Sequence, residues 1–378
     1  MKKLNKELLC KNIDEAAMYD IAENNIFGSA YAVYQDGEEL LKRCFGNTSP
    51  DGDEMVKSDT IFRLASMTKP ITAVASLILV ERCMISLDDP VTKYIPELKG
   101  IHITEVNENK ELTDKGEAKN TIYIRNLLSH TSGIGTLVLD GFMTDEDRNS
   151  IKNMIAFYAR TGIGFEPMSQ QQYSGVGAFD VMTAIIERVT GEDYLTFLKR
   201  EIFTPCNMAD TTFLPDESQR NRMITMHNKV DGKNAVGETF EGCVFQNFPM
   251  THFLGGAGLV STLNDYIKFA LMLQNKGLAE GGRILSEDTF ALLTKINVTD
   301  EIMPGNEKWG LGVRVITDSS YPSLHVGTYG WSGAYGTHFW VDPENKVTAV
   351  FMKNSRFDGG AANKSAVRFE EAVYNSFL

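Results

Sequence analysis

The chain has 378 residues, and its formal charge of -13 makes nucleic-acid backbones and anionic membrane surfaces poor partners. With 43% hydrophobic and 23% charged residues it has the composition of a folded globular protein, long enough for two domains or for one large domain with an insertion. Its cysteines (Cys10, Cys44, Cys83, Cys206 and Cys243) are scattered without a C-x-x-C pair, which points to a reduced, cytoplasmic protein and away from a zinc or dithiol site.

The first stretch, MKKLNKELLCKNIDEAAMYDIAENNIFG, reads as an amphipathic helix, because charged residues break the apolar run of about 7 to 15 residues that a secretory leader needs. The longest apolar run, Ile71 to Val80, is about half of what a bilayer crossing requires. Two β-prone segments around Asp36-Gly37 predict a tight hairpin. The segment from Lys69 to Met84 is apolar on nearly every face and too long for a strand, so it predicts a buried helix beginning near Ser66 with Pro70 in its first turn.

Residues 85–210 read as short helices joined by polar loops, including the charged excursion TEVNENKELTDKGEAKN and the helical patterns DVMTAIIERVTG and DYLTFLKREIF. Beyond GGAGLVSTLNDYIKFALMLQNKG, β character returns in WGLGVRVI and THFWVDPENKVTAVFMKN, with a turn at Asp342 to Asn345 and a last helix. These strands are expected to join the N-terminal hairpin in one antiparallel sheet. The chain lacks G-x-S-x-G, H-E-x-x-H, G-x-G-x-x-G and Walker motifs, and its six histidines show no ligand spacing. Neither a cofactor nor a metal is expected.

Ser66 is the one serine followed three residues later by a lysine, and the pair falls at a predicted helix start. Positions i and i+3 share a helix face, so hydroxyl and amine can meet. Burial and the positive end of the helix dipole both disfavour a charged amine there, which suits Lys69 to take the proton of Ser66. A helix start also offers a backbone N–H to an oxyanion.

FRLASMTKPITAVASLILVERCMISLDDPVTKYIPEL resembles the nucleophile region of the serine β-lactamase and penicillin-binding protein superfamily, in its class C-like branch. IRNLLSHTSGIG, YSGVGAFDVMTAIIERVTG, GGAGLVSTLNDYIKFALMLQNKG and GWSGAYGTHFWVDP follow in that branch's order, covering the chain from about residue 60 to 350. The resemblance implies a mixed α and β fold in which an antiparallel sheet flanked by helices (residues 1–62 and 265–378) carries an inserted, mostly helical lobe (63–264). The active site would lie in the cleft between them. It also implies that Tyr173 relays protons between Ser66, Lys69 and the leaving group. Trp331, Ser332 and Gly333 would occupy the substrate-binding strand, and Ala334 would supply the second oxyanion N–H beside that of Ser66. His130 is expected to hydrogen-bond within its own loop and is left outside the catalytic set.

Two departures bear on substrate. The tyrosine motif of β-lactamases usually ends in an asparagine that recognises an acylamino group, and here Gly175 follows Tyr173-Ser174. The third motif has Trp331 in place of its carboxylate-holding lysine, and an indole does not replace a charge-assisted hydrogen bond. The tryptophan version resembles the family VIII carboxylesterases. The leading expectation is therefore hydrolysis of a small-molecule ester, or acyl transfer to an alcohol or amine. A β-lactamase or D-alanyl-D-alanine carboxypeptidase-type amide hydrolase is the alternative, and a catalytically silent scaffold or sensor of the same fold is the second.

Overall fold

The computed structural model describes residues 1–23, 26–137, 142–237 and 252–378, so Cys243 lies outside the described residues. Asn5 opens helix α1 (Lys6–Ala22), its side chain accepting the Leu8 N–H. That satisfies one of the donors a helix start leaves orphaned. Leu9, Ile13, Ala16 and Ala17, at helical spacing, form its buried face. Strands β1 (Gly28–Gln35) and β2 (Glu38–Gly46) follow, joined by Asp36 and Gly37 at φ 51° and 82°. Positive φ at both positions is what a type I′ hairpin turn needs, so the Asp-Gly expectation holds.

A short 3-10 turn, Ala65–Met67, leads into α2 (Thr68–Glu81), in which every residue from Thr68 to Leu79 is buried. The helix stops before the expected Met84, with Cys83 at φ 56°. Strand residues Phe62–Arg63 pair with Val260–Ser261, so the chain enters and leaves its middle section at one place. That section contains α3 (Gly177–Thr190), built on an expected helical pattern. It also contains a feature read as loop: His102–Val106 and Leu112–Glu117 form a hairpin. Asn107 Oδ1 accepts from the N–H groups of Asn109 and Glu111, each at 2.9 Å, which closes the turn locally. Its strands are largely polar on both faces, so the apolar alternation that reveals a strand was missing.

After α4 (Leu263–Gln274) come β3 (Glu307–Trp309), β4 (Arg314–Ile316), β5 (Tyr329–Ser332), β6 (His338–Asp342) and β7 (Val347–Met352), then helix α5 (Lys364–Tyr374). The sheet is antiparallel in the order β3-β4-β5-β6-β7-β1-β2, and the two ends of the chain meet where β7 pairs with β1. All six residues of β7 are buried because both sheet faces are covered. Val347, Ala349 and Phe351 enter an apolar cluster with residues of α1 and α5, whereas Val350 and Met352 enter the larger cluster with residues of α2 and α4. This two-sided burial is the physical basis of a helix–sheet–helix sandwich. Among the described residues no helix is long and apolar enough to cross a membrane.

Candidate active site

Ser66 sits in the turn ahead of α2 and keeps 8% of its surface exposed. Its predecessor Ala65 adopts φ 46°, a left-handed conformation that costs a non-glycine residue on the order of 1 kcal/mol or more. Surrounding contacts enforce it. Leu64 N–H donates to Leu259 O at 2.9 Å, Thr337 Oγ1 donates to Leu64 O at 2.9 Å, and Tyr266 Oη donates to Met67 O at 2.9 Å. The turn's own bonds leave the N–H of Ser66 without an acceptor among the described residues.

Lys69, in the first turn of α2, is wholly buried, and its Nζ stands 3.2 Å from Ser66 Oγ. It also donates to Gly175 O at 2.6 Å and Gly256 O at 2.8 Å. A carbonyl oxygen can only accept, so two of the three free positions on the nitrogen must carry hydrogens. The third faces Ser66 and can hold either a proton or a lone pair. The Gly255–Leu259 loop wraps the helix start, with Thr72 Oγ1 donating to Gly255 O at 2.6 Å and Leu259 N–H donating to Thr68 Oγ1 at 3.2 Å. The stretch GGAGLV thus contributes backbone groups that hold the lysine.

Tyr173 is half-buried, with its ring centroid 4.9 Å from Lys69 Nζ. Trp331 Nε1–H donates to its hydroxyl at 3.1 Å. Three more rings complete an aromatic box: Trp331 at 5.2 Å, Trp309 stacked at 5.9 Å and His130 at 4.6 Å between centroids. His130 accepts from the Ser174 N–H through Nδ1 at 3.1 Å, a partner outside its own loop, unlike the expectation. Burial, helped by the charge of Lys69, pushes its pKa well below the usual range, so the ring is neutral with its proton on Nε2. Trp309 carries no motif that marks it in the sequence. Asp180 on α3 is likewise unmarked, and burial pushes its carboxyl up to about 8, against a hydrogen bond from Tyr158 and the charge of Lys69.

The end of β5 runs past the Ser66 turn. A Cβ on Gly333 would lie 2.3 Å from Leu64 O and 2.2 Å from Thr337 Oγ1, so this approach admits only glycine. The next residue, Ala334, has an N–H with no acceptor among the described residues. Along the strand, Trp331 faces Tyr173 while Ser332 turns to the opposite face, as strand alternation requires. There Ser332 Oγ is hydrogen-bonded to His338 Nδ1 at 2.8 Å, and His338 Nε2 is hydrogen-bonded to Glu370 Oε1 at 3.0 Å. Ser332 therefore reaches the site only through its backbone. The structure brings Ser66, Lys69, Tyr173 and Trp331 into one cluster. Among the described residues no group of three or more His, Cys, Asp or Glu side chains could hold a metal ion.

A serine and a buried lysine one helical turn apart, a tyrosine beside the amine and a strand end meeting the serine are the parts shared by penicillin-recognising enzymes. The Beta-lactamase family model matches residues 13–372. The chain belongs to the β-lactamase family. Within it, the chain is similar to Esterase EstB of Burkholderia gladioli, 28% identical over an alignment of length 400 that covers 97% of this chain and 95% of that one. In structure it is similar to EstCE1, a hydrolase with promiscuous acyltransferase activity (TM-score 0.82, 22% identity, 98% and 99% covered). A family VIII carboxylesterase also shares the fold (TM-score 0.73, 18% identity, 97% of each chain).

Proposed function

We propose that this β-lactamase family member is a serine hydrolase that cleaves a small-molecule carboxylic ester through an acyl-enzyme on Ser66, and that it can pass the acyl group to an alcohol or amine. The observation that carries the reading is the amine of Lys69, whose two carbonyl partners leave its third position for Ser66 Oγ at 3.2 Å. Ser66 Oγ attacks the ester carbonyl as its proton passes to Nζ, and the N–H groups of Ser66 and Ala334 take the developing oxyanion. Because Trp331 supplies a donor to Tyr173 Oη, the tyrosine's own hydrogen is free to point at the leaving oxygen. Water, or a bound alcohol or amine, then attacks the acyl-enzyme.

The ester preference follows from Trp331 and Gly175. No lysine stands on β5 to hold a carboxylate, and no amide follows Ser174 to recognise an acylamino group. The names of EstB and EstCE1, an esterase and a hydrolase with acyltransferase activity, agree with this chemistry. We place the site in the cleft between a discontinuous sheet domain (1–62 and 265–378) and a helical one (63–264), and the protein in the cytoplasm, where Cys10, Cys44, Cys83 and Cys206 would stay reduced. The test compares turnover of a short-chain p-nitrophenyl ester with that of nitrocefin, in wild type and Ser66→Ala. Ester turnover lost in the variant is the expected result. Ester turnover that survives would sink the mechanism, faster nitrocefin turnover would make it a β-lactamase, and turnover of neither would favour a scaffold.

A further inference from the structure

Helix α3 carries an aspartate where its apolar face should be unbroken. Asp180 lies in the first turn and is fully buried. Its Oδ2 accepts from Tyr158 Oη at 3.0 Å, while Oδ1 has no hydrogen-bond partner among the described residues. It caps nothing and forms no salt bridge among those residues, so its desolvation is not repaid by the fold. Features of this kind persist where chemistry needs them.

The chemistry nearby is that of Lys69. The start of α3 and the segment before it each touch the amine: Gly175 O accepts from Nζ at 2.6 Å, and the ring of Phe179, the helical neighbour of Asp180, lies 5.3 Å from Nζ. The charged and titratable groups acting on Asp180 are Lys69 from α2 and Tyr158 from the helix Ile151–Thr161. His130, on the loop after the helix Ile124–Leu128, faces Phe179 as a neutral ring. The two carbonyls on Lys69 offer only partial charges, so an ammonium formed there lacks a full counter-charge within its hydrogen-bonding shell.

We propose that Asp180 is a positioning residue for the proton on Lys69, its carboxylate offsetting, from within the buried wall behind the amine, the ammonium that forms as Ser66 attacks. The inference rests on the proposed roles of Ser66 and Lys69. In that step the Ser66 O–H bond breaks, Oγ bonds to the acyl carbon, the carbonyl π pair moves to its oxygen, and the proton joins the lone pair of Nζ. Asp180 gains and loses no atoms. In a low-dielectric site a fixed opposite charge acts far more strongly than it would in water.

The test is the rate of covalent labelling of Ser66 by a fluorophosphonate as a function of pH, read by mass spectrometry on the full chain. Wild type is expected to show an inflection near pH 8, where the Asp180 carboxyl titrates. Asp180→Asn should lose that inflection and, above it, where the wild-type carboxyl is charged, label about tenfold more slowly, a modest fraction of what a buried charge interaction can contribute. Tyr158→Phe removes the hydrogen bond that holds the carboxyl down and should move the inflection to higher pH. Asp180→Asn with wild-type rate and inflection overturns the proposal. If that variant does not fold, an unmoved inflection in Tyr158→Phe overturns it. Absence of labelling in wild type itself would instead refute the Ser66 reading on which the inference stands.

Discussion

The indole N–H of Trp331 donates to the hydroxyl of Tyr173 at 3.1 Å, across 158 positions of sequence. It does this where the wider superfamily carries a lysine, so the tyrosine keeps a donor while the strand loses a charge. Trp331→Phe keeps an aromatic ring on the strand and removes the donor together with the five-membered ring of the indole. A neutral hydrogen bond is worth about 1 kcal/mol, so kcat for a p-nitrophenyl ester should fall about fivefold with KM little changed. Tyr173→Phe should cost about 10²- to 10⁴-fold, the range of a lost general acid. Unchanged kcat in Trp331→Phe would mean that the bond plays no part.

Gly333→Ala tests the approach of β5 to the nucleophile turn. The added Cβ meets Leu64 O at 2.3 Å and Thr337 Oγ1 at 2.2 Å, and the backbone of Leu64, to which Thr337 is itself hydrogen-bonded, cannot yield cheaply. Overpacking of this kind costs about 1–3 kcal/mol, and here it displaces Ala334 relative to Ser66. Fluorophosphonate labelling should slow at least tenfold, an estimate for a shifted oxyanion donor. A variant that folds and labels normally would show that the two N–H groups do not act together.

Gly175 is the opposite case. A Cβ there meets nothing within 4 Å, so Gly175→Asn should fold with a wild-type Tm. Restoring the amide of the family's tyrosine motif should raise reactivity with nitrocefin while ester turnover persists. Unchanged nitrocefin reactivity would locate the substrate preference elsewhere, at Trp331 first.

Asp180 should also leave a mark on stability. Burial raises its folded carboxyl to about 8, above its unfolded value, so the folded state binds more protons between those limits and stability falls as pH rises through them. Asp180→Asn removes that loss, which is worth several kcal/mol by the rule of about 1.4 kcal/mol per unit of pKa. Thermal unfolding near pH 8 should show a higher Tm for the variant than for wild type, alongside its slower chemistry. A lower Tm would mean that the carboxylate is structural.

The Lys353–Asp358 pair gives the opposite sign. Nζ and Oδ2 stand 2.5 Å apart beneath the Gly333–Gly336 turn, close enough that a Cβ on Gly336 would meet Lys353 Cε. Burial pushes the Asp358 carboxyl up, but the Lys353 ammonium and hydrogen bonds from Lys353 and Ser365 outweigh it and hold the group at about 2. Its stabilisation is therefore present above the unfolded pKa and is lost as pH falls towards about 2. Asp358→Asn should flatten acid unfolding in that window. At neutral pH it should cost about 3–5 kcal/mol, because it strands a buried lysine. An unaltered acid limb would contradict this account of the pair.

The sequence shows some of these features and hides others, and the dividing line is local against tertiary information. Ser66 and Lys69 are legible because one helical turn joins them, and Asp36-Gly37 because two residues make a turn. Tyr173 and Trp331 come into view only through the order of family motifs, since nothing local predicts their contact. Trp309 and Asp180 are invisible for the same reason, and so is the left-handed Ala65, which is enforced by Leu259, Thr337 and Tyr266. The rear-facing Ser332 had a usable signal: on a strand, a neighbour of a site-facing Trp331 must point away. The His102–Glu117 hairpin was masked by polar residues on both of its faces.

The central claim is that Ser66 carries the acyl group. Mixing the protein with a short-chain p-nitrophenyl ester, quenching in acid within the first turnovers and mapping the digest by mass spectrometry should find one added acyl group, on the peptide containing Ser66. The acyl group should be absent in Ser66→Ala and should accumulate when Lys69 and Tyr173 are intact. An acyl group on any other residue, or ester turnover with no acyl-enzyme and undiminished in Ser66→Ala, would contradict the account.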